Sequence, residues 1–185
     1  ASEKIVKSLL PKKIPAAQLA ELVDRAAGNP FFLEELVRAT SEGQLSELPE
    51  SILSMVQSRL LRLDAMSRRV LRAASVFGRV FFRGGLVSLL GLAEATIDSQ
   101  SPPHSQEESL PRALRMLQDK EIISQRHPSR FQREEEFLFG HALIQESAYS
   151  MLTSEDRVLG HRLAAEYLLS AGENDSLVLA EHFAS

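Results

Sequence analysis

The chain contains no cysteine. Disulfides, thiolate nucleophiles and cysteine-ligated metals are therefore excluded, and a reducing compartment is allowed. No apolar run approaches the roughly 20 residues that a bilayer span requires. The N-terminus lacks the basic-then-apolar pattern of a secretory signal. Positive charge is scarce: 21 Lys and Arg stand against 25 Asp and Glu, a net charge of -4. That balance weighs against a general nucleic-acid binder. Phosphate-binding signatures are missing too, with no G-x-x-x-x-G-K-[ST] and no G-x-G-x-x-G. Gly84-Gly85 is the only adjacent glycine pair, and neither Lys-Ser nor Lys-Thr follows it. There is no H-E-x-x-H, and His104, His127, His141, His161 and His182 lie too far apart in sequence to give a metal-ligand spacing. No catalytic or metal site assembles from these residues.

What is present is ordinary for a globular protein: 185 residues, 44% hydrophobic and 25% charged, enough for one or two domains. Helical periodicity dominates. Leu19, Leu22, Val23 and Ala26 share one face of a helix that starts near Pro15. Gly28 is a natural helix stop, Asn29 a good N-cap and Pro30 a suitable first helical residue. Phe32, Leu33, Leu36 and Val37 continue the apolar stripe. "SEGQLSEL" (41–48) reads as a boundary. Ile52, Val56, Leu60 and Leu63 mark the next helix. Asp64 caps another, which carries Val70, Leu71, Ala74 and Phe77 and ends at Gly78. A short helix follows around Leu86 and Leu90, then a proline-broken polar loop at 98–108.

Leu110, Leu114 and Leu117 mark a further helix, after which the period changes. "EIISQRH" (121–127) and "EEFLFGH" (135–141) read as one β-hairpin with a mobile tip, which must pack on helices to be stable. Within it, Glu134, Glu135 and Glu136 read as a solvated strand edge rather than an acid/base pair. Helices resume at His141 or Ala142. Thr153 and Asp156 resemble a capping box, with aspartate a poorer partner than glutamate. Leu159, Leu163, Tyr167 and Leu168 extend that helix, and a last one starts near Asp175. Three helices followed by a two-stranded wing is the winged-helix arrangement, a relative of the helix-turn-helix. Its recognition helix would offer Arg112, Arg115 and Lys120, and its wing Arg126, Arg130 and Arg133. Asp119, Glu121 and the three glutamates of the wing sit among them, so little net charge is left for phosphates.

Three blocks carry a resemblance: "GNPFFLEELVR" (28–38), "LPESILSMVQSRLLRLDAMSRRVLRAASVFGRVF" (48–81) and "FLFGHALIQESAYSMLTSEDRVLGHRLAAEYL" (137–168). Together they resemble the region after the nucleotide-binding core of bacterial STAND-type signalling ATPases, AAA-like modules joined to Ser/Thr protein kinases, nucleotide cyclases or LuxR-type regulators. The resemblance implies a mainly α chain in three parts: a helical lid remnant over 1–46, a winged-helix domain over 47–152, and the start of a tetratricopeptide-like helical region over 153–185. It implies a P-loop core upstream and repeats downstream in a longer, cytoplasmic parent. ATP or ADP would be the parent's cofactor, with none expected for the isolated fragment.

On that resemblance the lid's G-x-P signature falls on Gly28, Asn29 and Pro30, with the proline near the adenine. The same three residues read equally as helix punctuation. The family's Met-His-Asp signature falls on Gly140, His141 and Ala142, and implies that His141 contacts the phosphates of bound ADP. The departures at Gly140 and Ala142 put a fixed tautomer in doubt, and a capping or half-buried structural histidine is the alternative. The expected function is regulatory rather than catalytic, coupling nucleotide state to effector or repeat domains through protein partners. The rivals are a DNA-binding winged helix and a protein-interaction scaffold.

Overall fold

A computed structural model describes residues 15–41, 43, 51–92 and 109–184. Most of the boundary expected at 41–48 and all of the loop at 98–108 lie outside the described residues, as does His104. The described chain is mainly helical with one small antiparallel sheet. None of its helices is long and apolar enough to cross a membrane. Its contacts divide it into two units between Ser58 and Arg59.

The first unit holds α1 (Ala16–Ala26), α2 (Pro30–Ser41) and the beginning of α3 (Ile52–Leu61). The two apolar stripes read from the sequence meet here. Leu22, Ala26, Phe32, Leu33, Leu36 and Val37 form one core with Met55 of α3, and Leu19, Val23 and Ile52 pack at its margin.

The second unit continues with α4 (Ala65–Val76), β1 (Val80–Phe82), α5 (Arg83–Leu90), α6 (Ser109–Asp119), β2 (Ile123–Arg126), β3 (Glu136–Phe139), α7 (Ala142–Ser150), α8 (Ser154–Ala171) and α9 (Ser176–Ala184). The run from α4 to β3 is the winged-helix order. Asp64 caps α4 as expected, accepting from the Ser67 amide at 3.0 Å. Burial is the largest single influence and pushes its carboxyl up, but the hydrogen bonds from Ser67 and from the Met66 and Asp64 backbone together outweigh it, and its pKa lies below the ordinary aspartate value. The hairpin does not stand as a pair. β1 was not anticipated, and it makes β3 the central strand of the order β1-β3-β2. Phe81 pairs with Phe137 and stacks on it at 5.6 Å, with Phe139 at 5.3 Å. The hairpin thus gains the packing that two strands alone lack.

Two details of the wing depart from expectation. The segment between β2 and β3 is anchored: Phe131 is buried against Phe82 at 4.7 Å, and Arg130 Nη2 lies 2.8 Å from Glu173 Oε1 at the α8–α9 turn. The three glutamates are also not one solvated edge. Glu135 is exposed and faces Arg83, but Glu136 lies in the central strand and is 1% exposed.

Thr153 and Asp156 form the full capping box at the head of α8. The Thr153 hydroxyl accepts from the Asp156 amide at 3.1 Å, and the short aspartate reaches back only to 3.4 Å. The buried stripe of α8 runs through Gly160, His161, Ala164, Ala165, Tyr167 and Leu168, while Leu159, one of the apolar residues that mark this helix in the sequence, is exposed. At Gly160 α8 lies close to α4: a β-carbon there would lie 3.0 Å from Val76.

Candidate functional site

The Gly-Asn-Pro corner is built by local chemistry. Lys and Arg are absent from it, and the Asn29 amide and its side-chain oxygen both bond to the backbone. α1 ends with two consecutive left-handed residues, Ala27 at φ 47° and Gly28 at φ 82°. The left-handed stop therefore begins one residue before the glycine that signals it. The Asn29 amide donates to Ala26 O at 2.8 Å, and its Oδ1 accepts from the Phe32 amide at 3.1 Å, the N-cap bond of α2. Pro30 opens α2, where no N–H is needed, and its ring is exposed. The corner is therefore helix punctuation that also presents a rigid apolar face. Such a face fits the flat side of a base.

His141 belongs to the second unit. It follows β3 through Gly140 and is the N-cap of α7, with its Nδ1 accepting from the Leu143 amide at 3.1 Å. A ring nitrogen that accepts carries no proton, so the neutral ring holds its hydrogen on Nε2. The backbone thus fixes a tautomer without the aspartate that position 142 lacks. The Nε2–H is a donor beside the positive end of a helix, which suits a phosphate oxygen. Gly140 has its own reason to be small. Its amide donates to Ile122 O at 2.9 Å, and a β-carbon would sit 3.0 Å from Glu121 O and 3.4 Å from Ile122 O. A methionine there would press on backbone carbonyls. Gly28, Asn29 and Pro30 are thus brought together in one unit, and His141 stands in the other.

Of the three wing arginines, Arg126 and Arg130 are engaged by carboxylates and Arg133 is exposed. Arg126 Nη1 lies 3.2 Å from Glu136 Oε1, and Glu136 Oε2 also accepts from the Arg130 amide at 2.6 Å. Glu173 Oε1 accepts from Arg130 and from the amides of Asn174 and Asp175. Arg112, Arg115 and Lys120 are exposed, but so are Asp119 and Glu121.

Two features escaped the sequence reading. The Gly84-Gly85 pair is a packing device: the Gly84 amide donates to Glu134 Oε2 at 3.1 Å, and a β-carbon at Gly85 would lie 2.6 Å from Phe77 Cζ. It borders a cleft of about 540 Å³ whose lining includes Phe131, Glu134, Tyr167 and Ser170. Burial, then the Glu134 carboxylate, raise the Tyr167 phenol well above the ordinary tyrosine value, so it stays protonated. Secondly, His161 and His182, 21 positions apart, meet in the interior. Among the described residues no group of three or more His, Asp or Glu side chains is placed to hold a metal ion. No protein-family model, curated protein or solved structure matches the chain.

Proposed function

We propose that this chain is a non-catalytic regulatory segment of a STAND-type signalling ATPase, one that senses whether nucleotide is bound and passes that state to effector or repeat domains. The observation that carries the reading is His141: an N-cap histidine with a backbone-fixed tautomer, presented at a helix N-terminus straight after the sheet's central strand. Its Nε2 would donate to ADP phosphate oxygens, and Pro30 would supply an apolar face to the base. ATP or ADP would be held chiefly by a P-loop core elsewhere in the parent, a cytoplasmic protein with a kinase, cyclase or regulator effector. The chain would contribute no catalytic group. A lost hydrogen bond to a charged group costs about 1.5–3 kcal/mol, and 1.4 kcal/mol is about a factor of ten in affinity. In a parent protein that includes the core, His141→Ala should therefore release ADP about tenfold faster or more, and Pro30→Ala more mildly. Equal off-rates for wild type and His141→Ala would reduce His141 to its capping role.

A scaffold role has one observation in its favour. Leu177 is 79% exposed and Phe183 58% exposed on α9, apolar surface of the kind that partners cover. Partner capture that is indifferent to nucleotide would favour it.

A further inference from the structure

Tyr149 of α7, His161 of α8 and His182 of α9 form one polar chain inside an apolar seam. Tyr149 Oη lies 3.0 Å from His161 Nε2, and His161 Nδ1 lies 2.9 Å from His182 Nδ1. Both imidazoles are buried. Phe77, just past α4, meets the His182 ring at 6.2 Å between centroids. Glu181 of α9 is the charged group whose field acts on both rings, favouring their protonation. Arg157 of α8 stands over the Tyr149 ring, 4.6 Å from its centroid, and donates to the Tyr149 carbonyl.

A nitrogen–nitrogen contact of 2.9 Å needs one hydrogen between the two atoms. With both rings neutral, one Nδ1 donates and the other accepts. Adding one proton to the pair leaves that bond intact, because one ring still has an accepting Nδ1. Adding a second places N–H against N–H, and the contact is lost. His182 is carried by α9, whose Val178 and Leu179 pack on the cluster of Phe82, Phe131, Tyr167 and Leu168. Repulsion between the two rings therefore acts directly on the seating of that helix.

We propose that the Tyr149–His161–His182 chain is a proton-controlled latch, which holds α9 against α8 near neutral pH and releases it on acidification. Burial pulls His161 below the ordinary histidine range against the opposing pull of Glu181; burial, then the charge of His161, do the same to His182. An opened α9 takes up protons near pH 6.5, and the seated form only at lower pH. The seated form is thus fully favoured above about pH 6.5 and loses ground as pH falls below it. Each proton taken up on opening shifts the balance by as much as about tenfold per pH unit.

The test is amide hydrogen exchange on the full chain at pH 7.0 and 5.5, corrected for intrinsic exchange rates. Protection at residues 179–184 should fall more than at residues 113–119 of α6, by up to about tenfold for each proton taken up, and His182→Gln should reduce this excess loss to the share of His161. Equal changes in the two helices, or an excess loss that is undiminished in His182→Gln, would overturn the latch. If His182→Gln already leaves α9 unprotected at pH 7.0, NMR titration of the wild-type imidazoles decides. Both rings titrating below the ordinary histidine range as α9 protection is lost supports the latch. Either ring titrating in the ordinary range while α9 stays protected overturns it.

Discussion

At Gly85 the second unit has no room for a methyl group. A β-carbon there would lie 2.6 Å from Phe77 Cζ and 3.1 Å from two carbons of the Tyr167 ring. Both rings belong to the aromatic set that joins α4, the wing and α8, and they meet edge-on at 6.0 Å. Overpacking of this kind costs about 1–3 kcal/mol. Gly85→Ala should lower the urea midpoint of the second unit by a corresponding amount with an unchanged slope. An unchanged midpoint would mean that Phe77 swings aside at a cost no greater than the roughly 0.5–1 kcal/mol that alanine gains over glycine within a helix. The caps at Asn29, Asp64, His141 and Thr153 work at the same scale but through bonds that span only two or three residues. That is why three of the four were legible as caps and the fourth, His141, as one of two alternatives. The glycine pair was legible only as something that is not a phosphate loop, because its neighbours come from residues 77, 134 and 167.

Among the elements, β3 carries the largest consequence. Its central place buries the Glu136 carboxylate, which the sequence suggests is solvated. The burial depends on β1, a strand of only three residues that leaves almost no periodic signal. Glu136 accepts from the Arg130 amide and pairs with Arg126, so it ties β2, β3 and the segment between them. Arg126 is 56% exposed and can return to water when its partner is removed, so the cost is that of the carboxylate's own hydrogen bonds. Glu136→Gln should destabilise the second unit by about 1.5–3 kcal/mol at pH 7. Glu135→Gln, at an exposed pair with Arg83, should cost no more than about 1 kcal/mol. Equal losses in urea melts of the two variants would show that burial adds nothing to this carboxylate. The helices, by contrast, were legible from their apolar stripes, and α1, α2 and α4 also from their start signals at Pro15, Asn29 and Asp64.

On the scale of the whole molecule, the charge pattern weighs against reading the winged-helix order as a DNA reader. Arg126 and Arg130 are engaged by Glu136 and Glu173, and the exposed arginines of α6 share their surroundings with Asp119 and Glu121. Few charges remain to displace counterions. A duplex titration at physiological salt should show no sub-micromolar binding, and a tight complex that weakens steeply with salt would restore the DNA-binding reading. The regulatory account makes its own demand, that nucleotide held by the core is felt at His141 and at Pro30. The most direct measurement is hydrogen exchange on a parent protein that includes the P-loop core, with and without saturating ADP. The account predicts added protection both at the Gly28–Pro30 corner with the first turn of α2 and at the His141-capped first turn of α7. Nucleotide that saturates the core and leaves both turns unchanged would contradict it.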